Sequence, residues 1–222
     1  MSGIDRRTGR GARAYAGRVV RLVLIVALGG LWFDGHPVHA EASDGPGVEG
    51  DILLAAVRDV GFAEVRAHVR RKNPSIDEIY LRTLHRHYLE LCRLEGVNMA
   101  VAIAQMIHET DYLRFTGSVR AVQYNYAGLG ATGGDNPGLS FPDMRTGVAA
   151  HVQHIKAYAN DVALVTPLVD PRFHLVRRGS APTVRSLTGR WATDPEYGEK
   201  LVAHLAAMLS QPPEVGAPAA DR

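Results

Sequence analysis

The chain has 222 residues, 46% hydrophobic and 22% charged, enough for one domain with a buried core and too short for two comfortable ones. Lys and Arg total 25 against 23 Asp and Glu, but residues 1–40 hold 6 of the basic and 2 of the acidic residues, which leaves 19 against 21. The charge of this remainder gives no support to nucleic-acid binding or to a polybasic membrane surface, and the single cysteine excludes an internal disulfide framework.

Residues 1–40 have the layout of an export signal. Arginines precede an apolar run of 12 residues at 22–33, which is shorter than the roughly 18 residues that a membrane-spanning helix needs. Val38 and Ala40 satisfy the small-residue rule for signal cleavage. We therefore predict a signal peptide removed after Ala40, with an uncleaved anchor as the alternative. The product is expected in the periplasm or outside the cell, without a stable membrane span.

Composition divides the rest of the chain into three parts. Residues 41–50 are predicted as a flexible linker, and residues 211–222, rich in Pro and Ala, as a disordered tail. Helix signals dominate residues 51–210, which contain no internal repeat. We predict one mainly α-helical domain there, and a monomer.

The helix signals of this domain follow one another along the chain. Ser75 and Glu78 form a capping box before a long amphipathic pattern that Gly96 ends. Asn98 caps a second helix, residues 99–109, which is apolar nearly all round and is therefore expected to cross the centre of the domain. Three further helices are predicted from about Arg145 to Asn160, after Ser180-Ala181-Pro182, and from Asp194-Pro195 to about Leu209.

Between the second and third helices, residues 114–144 are rich in glycine and proline and show too little alternation for more than a short hairpin. Functional residues favour such loops. Glu109 lies where the buried helix meets this segment, and apolar surroundings there would raise the pKa of its carboxyl group, as a general acid requires. The alternative is a structural Glu that caps the helix or pairs with Arg114 or Arg120.

Metal chemistry has weak support in the sequence. His108 and Glu109 begin the zinc motif H-E-x-x-H, but position 112 is Tyr instead of the second His. His151 and His154 have a spacing that could share a metal, yet no third ligand lies in register with them. We therefore predict no metal and no cofactor, and place His108 and His154 among residues that line a binding groove.

Nucleotide binding and nucleophilic catalysis also lack support. Residues 128–133, GLGATG, match a dinucleotide-binding pattern, but no strand-to-helix context surrounds them and no acidic residue stands about 20 positions further on. No G-x-S-x-G elbow is present. Cys92 lies on the apolar side of a helix, which predicts a buried, inert thiol.

Five ordered segments resemble the glucosaminidase family of the lysozyme-like superfamily, also labelled mannosyl-glycoprotein endo-beta-N-acetylglucosaminidase-like. The segments are AIAQMIHET, NYAGLGATG, SFPDMRTGVAAHVQHIKAYA, VDPRF and GRWATDPEYGEKL, and together they cover about residues 85–209. The resemblance implies a lysozyme-like domain with a glycine-rich loop or short β-hairpin beside an active-site cleft. It also implies hydrolysis of the β-1,4 bond after N-acetylglucosamine in peptidoglycan glycan strands.

The resemblance carries site residues with it. It assigns the general acid to Glu109 and an aromatic hydroxyl at the cleft to Tyr197, and it assigns the lining of the sugar groove to Asn125, Tyr126 and Gly128. Relatives usually have Gly where this chain has Asp111. A second carboxylate there either raises the pKa of Glu109 or points to solvent without effect, and we favour the second.

Glycoside hydrolysis usually needs a second group across the sugar ring. Asp143 is the candidate in this chain, although it is at least as well suited to cap the third helix. The substrate's own N-acetyl group is another possibility. Among the nearby aromatics we expect Tyr126 and Tyr197 to contact the ligand, and Phe115, Phe141 and Trp191 to close the core.

Two other functions stay open at this point. A non-catalytic protein that binds wall glycan or acts as a scaffold would keep the groove but would not require an acid at position 109. A lytic transglycosylase would use one Glu, cut after N-acetylmuramic acid and leave an anhydro end.

Overall fold

The computed structural model describes residues 50–132 and 136–210, all within the unit Asp44–Arg222. The predicted signal peptide, the predicted linker up to residue 49 and the predicted C-terminal tail lie outside the described residues.

The described residues form five α-helices and no β-sheet. The helices are α1 (Phe62–Arg70), α2 (Glu78–Glu95), α3 (Met99–Glu109), α4 (Met144–Ala159) and α5 (Tyr197–Leu209). Single 3-10 turns lie at Ala121–Gln123, Phe173–Leu175 and Arg185–Leu187. None of the helices in the described residues is both long enough and apolar enough to cross a membrane. The prediction of a mainly α-helical domain is confirmed.

The boundaries of α2 and α3 follow the sequence signals with one exception. Gly96 ends α2 in the left-handed conformation, with φ 68°, and Asn98 caps α3 through its side chain, as predicted. The predicted capping box at Ser75 is wrong, because α2 begins at Glu78 and its N-cap is Asp77, whose carboxylate accepts the Tyr80 N–H at 2.6 Å.

The later helices show similar small shifts. The predicted helix after Pro182 is reduced to the single 3-10 turn Arg185–Leu187. The predicted start of the last helix at Asp194 is also displaced, since Asp194 accepts the Glu196 N–H at 2.9 Å and the Tyr197 N–H at 3.1 Å in a turn that precedes α5. Helix α1 was not predicted, and it follows Gly61 without a side-chain cap.

Helix α3 occupies the centre of the domain. Every residue from Met99 to Ile107 is buried, as the apolar sequence predicts. Helix α2 packs mainly on α4, and α3 packs mainly on α5. Burying a Val, Ile or Met side chain contributes about 1.5–3 kcal/mol, so this packing fixes α3 and with it the position of Glu109 at its C-terminal end. Cys92 is buried on α2, as expected, and burial raises the pKa of its thiol.

The described part of the glycine-rich segment 114–144 consists of turns and one 3-10 helix. Its backbone is tied together where Leu139 N donates to Leu129 O at 2.8 Å and Phe141 N donates to Gln123 O at 2.8 Å. Gly147, on the first turn of α4, faces this segment so closely that an added Cβ would lie 1.9 Å from Tyr124 O. Only glycine at this position allows α4 to approach the loop.

Candidate active site

The chain leaves α3 through a left-handed turn that begins directly after Glu109 and Thr110. Three consecutive non-glycine residues have φ angles of 49°, 59° and 61°: Asp111, Tyr112 and Leu113. Each such residue costs roughly 1–2 kcal/mol. The Thr110 hydroxyl offsets part of this cost, since it donates to Met106 O at 2.7 Å and accepts the Leu113 N–H at 3.0 Å. The turn therefore ends α3 at Glu109 and brings the following loop back over it.

Asp111 occupies the position where relatives usually have Gly, and its φ of 49° explains that preference. Asp is one of the few other residues that enter this region readily. Its carboxylate accepts hydrogen bonds from Arg114 and, at 2.6 Å, from the Thr116 hydroxyl, and these bonds lower its pKa. It is not among the groups that shift the pKa of Glu109. The carboxylate of Asp111 thus stabilises the turn in which it lies and is not part of the Glu109 site.

A cavity of about 530 Å³ opens at the C-terminal end of α3. Its walls come from Glu109, from the glycine-rich segment and from a short stretch before α5. The lining residues besides Glu109 are Phe115, Gly117, Ser118, Val119, Ala127, Gly128, Ala131, Thr132, Trp191, Ala192 and Thr193. Among these described residues, Glu109 carries the only carboxyl group.

The two oxygens of the Glu109 carboxyl group have different surroundings. Oε1 accepts hydrogen bonds from the Tyr197 hydroxyl at 2.6 Å and from Trp191 Nε1 at 3.1 Å. Oε2 faces Gly128, where an added Cβ would lie 3.5 Å away, and has no hydrogen-bond partner among the described residues. Because both lone pairs of Oε1 are engaged by donors, a proton on the neutral acid resides on Oε2.

The environment of Glu109 raises the pKa of its carboxyl group. Burial is the largest cause and raises the pKa, whereas the hydrogen bonds from Tyr197 and Trp191 lower it by less. Neither Arg114 nor Arg120 binds this carboxyl group, so the alternative of an arginine pair is not observed; Arg114 pairs with Asp111. A carboxyl group that stays protonated to higher pH and faces a cavity can act as a general acid.

The family profile described as mannosyl-glycoprotein endo-beta-N-acetylglucosaminidase matches residues 85–209, from α2 to the end of α5. The chain belongs to the glucosaminidase family. This places it among glycoside hydrolases and confirms the resemblance found in the sequence. An uncharacterized protein of Borreliella burgdorferi is 44% identical over 137 residues, which cover 62% of this chain and 67% of that protein. No solved structure matches the chain significantly.

Two residues predicted for the glucosaminidase site lie beside Glu109. Tyr197, the first residue of α5, is buried beneath the carboxyl group and donates to it. Gly128 lines the cavity opposite Oε2, and its φ of 63° suits glycine.

Asn125 and Tyr126 belong to the same loop but do not line the cavity. The Asn125 side chain is fully buried; its amide donates to Leu129 O and Leu139 O at 3.0 Å each, and its Oδ1 accepts the Leu129 N–H at 2.9 Å. The Tyr126 ring is also fully buried, and its hydroxyl lies 3.1 Å from the Tyr80 hydroxyl. Both residues shape the loop that carries Gly128. Contrary to the prediction, neither of them lines the cavity.

The other predicted residues lie elsewhere. Asp143 is the N-cap of α4, where its carboxylate accepts the Thr146 N–H at 2.8 Å, and it is not part of the cavity lining. His108 points away from the cavity, towards a separate depression that includes His204. His154 forms a 2.7 Å hydrogen bond with Asp170 and packs edge-on against the Trp191 ring. It supports a cavity residue without lining the cavity itself.

Trp191 is the residue that the sequence interpretation missed. We expected it to close the core together with Phe115 and Phe141. Instead, Trp191 and Phe115 line the cavity, and Phe141 alone is buried in a hydrophobic cluster. One signal was available, because a partly buried indole N–H needs an acceptor, and Trp191 shares a short segment with Tyr197.

The two histidines at helical spacing do not form a shared site. Both nitrogens of His151 are hydrogen-bonded to protein side chains, and His154 is bonded to Asp170. In the part of the chain that the structure describes, no group of three or more His, Cys, Asp or Glu side chains is arranged to hold a metal ion.

Proposed function

We propose that this protein is an exported peptidoglycan hydrolase that cleaves the β-1,4 bond after N-acetylglucosamine. The observation that carries the proposal is the Glu109 carboxyl group, which is held by two donors on Oε1 while Oε2 faces the cavity. The family description, an endo-β-N-acetylglucosaminidase, supports the choice of the bond that is cleaved. The arginine-rich, apolar N-terminal stretch supports export to a compartment where peptidoglycan lies.

In this proposal Glu109 gives its Oε2 proton to the glycosidic oxygen. The bond between the anomeric carbon and that oxygen breaks, and its electron pair goes to the departing sugar, whose oxygen keeps the proton. Positive charge develops on the anomeric carbon while Glu109 becomes a carboxylate; a water oxygen later bonds to that carbon and a proton of this water returns to Glu109. Hydrogen bonds to an ionised acceptor are roughly twice as strong as neutral ones, so Tyr197 and Trp191 stabilise the charge that forms.

For the group across the ring, we propose the N-acetyl group of the substrate. Its carbonyl oxygen can reach the neighbouring anomeric carbon, and Glu109 is the only carboxyl group among the described residues of the cavity lining. Glycan strands from which the N-acetyl groups of N-acetylglucosamine have been removed should then resist cleavage. Equal cleavage of such strands would contradict substrate assistance.

The acid role is tested by digesting purified peptidoglycan with the wild type and with Glu109→Gln, followed by reduction and mass spectrometry. Reduced N-acetylglucosamine ends are expected from the wild type, and a loss of about 100-fold or more from the variant. Asp111→Asn is the matched control, because it removes a nearby carboxylate that lies outside the cavity and is expected to keep activity. Equal products from wild type and Glu109→Gln would contradict the assignment.

The same digestion distinguishes the two alternative functions. Anhydro ends on N-acetylmuramic acid would identify a lytic transglycosylase. Retention on wall sacculi without any product from the wild type would identify a binding or scaffold protein. Export is tested separately by the N-terminal sequence of the protein recovered outside the cytoplasm, which should begin at Glu41.

A further inference from the structure

A continuous line of buried polar side chains leads from the far side of the core to Glu109. The Tyr88 hydroxyl lies 2.8 Å from His151 Nδ1, and His151 Nε2 lies 3.0 Å from Gln105 Oε1. Gln105 Nε2 donates to the Tyr197 hydroxyl oxygen at 2.6 Å, and that hydroxyl donates to Glu109 Oε1 at 2.6 Å. Helices α2, α3, α4 and α5 each contribute to this line. We call Tyr88, His151 and Gln105 the buried relay.

With the Gln105 amide oriented so that Oε1 faces His151 and Nε2 faces Tyr197, the direction of every hydrogen bond in the line follows. An amide oxygen can only accept, so His151 carries its proton on Nε2 and donates it to Gln105. His151 is neutral, because burial first and then His154 lower its pKa to about 3. Nδ1 is therefore an acceptor and must receive the Tyr88 proton. Each donor in the line points towards Glu109.

The hydrogen bonds of the line could also run in the opposite direction, from Tyr197 towards Tyr88, and Glu109 would then have different partners. If the Gln105 amide were turned over, its oxygen would accept the Tyr197 proton and its nitrogen would donate to His151 Nε2. His151 would then carry its proton on Nδ1, and Glu109 would lose the Tyr197 donor. The tautomer of His151 therefore distinguishes the two directions of the line.

We propose that the buried relay of Tyr88, His151 and Gln105 consists of positioning residues, which direct the Tyr197 hydroxyl proton at Glu109 Oε1 and so keep the acid proton on Oε2. This inference rests on the proposed role of Glu109 as the general acid. Gln105 occupies the lone pair through which Tyr197 could otherwise accept a proton from Glu109. By donating to Tyr197, it also makes the Tyr197 hydroxyl a better donor.

The burial of these residues supports a specific role. Tyr88, Gln105 and His151 are each 0% exposed, and most of the other buried residues are apolar. Polar groups at such positions cost free energy unless they are hydrogen-bonded, and apolar residues of similar size would fill the space at less cost. Every polar atom of the three side chains has a partner within the line. The line ends at the carboxyl group of the cavity.

The first test reads the His151 tautomer by ¹⁵N NMR of the imidazole in the purified full-length protein. The signals are assigned by their loss in His151→Gln. The expected form is the neutral Nε2–H tautomer from about pH 5 to pH 8, because the pKa lies well below this range. An Nδ1–H tautomer or an imidazolium would overturn the inference. This measurement does not require enzymatic activity, so the His151 tautomer can be determined even if the proposed function is wrong.

The second test compares Gln105→Met, Tyr197→Phe and the double variant in peptidoglycan digestion across pH. The Tyr197 bond stabilises the Glu109 carboxylate, so losing it raises the pKa of Glu109 and moves the loss of kcat/KM at alkaline pH to higher pH. Gln105→Met should move this fall of kcat/KM, the alkaline limb of the pH profile, in the same direction. In the Tyr197→Phe background Gln105→Met should cause no further shift. A further shift in the double variant would overturn the inference.

The matched control for Gln105→Met is Gln153→Met. Gln153 is also 0% exposed and hydrogen-bonded, but its partners are Thr166 and the backbone of residues 167–170. Its loss should lower the unfolding temperature without moving the alkaline limb. A shift of the limb in Gln153→Met as large as that in Gln105→Met would show that general loosening of the fold is the cause, and would overturn the inference.

A milder pair of variants tests the far end of the relay. Tyr88→Phe removes only the donor to His151, and it should lower kcat/KM about fivefold, the value of one neutral hydrogen bond. Tyr80→Phe is its control, since Tyr80 also lies on α2 and bonds a tyrosine hydroxyl outside the relay. Tyr80→Phe should leave kcat/KM within about twofold. Equal effects of the two variants would contradict a directed line from Tyr88 to Glu109.

Discussion

At Glu109 the unequal engagement of the two carboxyl oxygens decides what the residue can do. Desolvation favours the neutral acid, and two donors on Oε1 keep that acid in one orientation. The two donors to Glu109 could not be predicted from the residues next to it in the sequence, because Trp191 and Tyr197 follow Glu109 by 82 and 88 positions.

Replacing Trp191 by Phe should keep a ring on the cavity wall and remove the Nε1–H donor. The Glu109 pKa then rises, because a bond that stabilises its carboxylate is lost. Since the acid works below its pKa, the alkaline limb of kcat/KM should move to higher pH. The maximum should fall about tenfold. Tyr158→Phe, which removes a donor to Arg190 O next to the same ring, is the control and should leave the limb in place. An unmoved limb in Trp191→Phe would contradict this role.

Gly128→Ala should reduce activity more than stability. The φ of 63° makes any Cβ here cost about 1–2 kcal/mol, and the new methyl group would lie 3.5 Å from Glu109 Oε2. Gly96→Ala is a matched control, because its φ is 68° and nothing lies within 4 Å of the added Cβ. Both variants should lose similar unfolding free energy, and only Gly128→Ala should lose activity. Equal activity in the two would show that Oε2 is not the working oxygen.

At this scale the sequence predicted Glu109, Tyr197 and Gly128 as neighbours but could not predict which other loop residues face the cavity. Asn125 and Tyr126 stand next to Gly128 in the chain and nevertheless turn into the protein, where a buried amide satisfies three backbone groups. Which way a loop side chain points depends on contacts with Leu129 and Leu139, and no local pattern encodes such contacts.

Among the secondary-structure elements, helix ends contribute most to the site. Helix α3 was predicted with its bounds because Asn98 and a continuous apolar stretch agree with each other. The start of α2 was misplaced by the local signal, since Ser75 and Asp77 are both good N-caps and only tertiary contacts select between them. Helix α1 carries no cap and was not predicted.

Asp143 gives an element-scale prediction. Because Asn caps helices about as well as Asp, Asp143→Asn removes the charge and keeps the cap. Unfolding free energy should change by less than about 0.5 kcal/mol, and digestion should stay within about twofold of wild type. Asp143→Ala should destabilise by about 1 kcal/mol through loss of the cap, which urea unfolding can measure. A large loss of digestion with normal stability in Asp143→Asn would restore Asp143 as a catalytic group.

Across the whole molecule, a buried ion pair joins the end of α2 to α4 and to the chain that follows α4. Glu95 accepts from Lys156 Nζ at 2.7 Å and from the Thr166 N–H at 2.7 Å. Burial raises the pKa of Glu95, but these bonds and those from the Thr166 hydroxyl and Val165 N–H outweigh it, and the pKa is lowered. This pair could not be predicted from a local pattern, because its members are 61 positions apart.

Lys156→Met should lower the unfolding free energy by about 3–5 kcal/mol near neutral pH, since it leaves a buried carboxylate without its cation. In the wild type the lowered pKa stabilises the fold above the unfolded pKa of Glu, and this stabilisation is lost as pH falls through the folded pKa. The deficit of the variant should therefore shrink in acid, as urea unfolding at several pH values would show.

Lys200→Met is the control for this prediction. It breaks the exposed pair with Asp194, in which the Lys200 and Asp194 side chains are 48% and 34% exposed, and should lower the unfolding free energy far less than Lys156→Met. Equal losses in the Lys156 and Lys200 variants would mean that burial of the Glu95 pair adds nothing.

The two donors on Oε1 have a consequence for the amide variant of Glu109. An amide side chain has one accepting atom and one donating atom, and Tyr197 and Trp191 both require the accepting atom. Glu109→Gln should therefore place its oxygen beneath the cavity and its NH₂ group where the acid proton of the native residue lies. That group can still donate a hydrogen bond to the glycosidic oxygen but cannot give up a proton. The variant should thus retain an intact glycan strand in the orientation of the reaction, as a stable complex for structure determination.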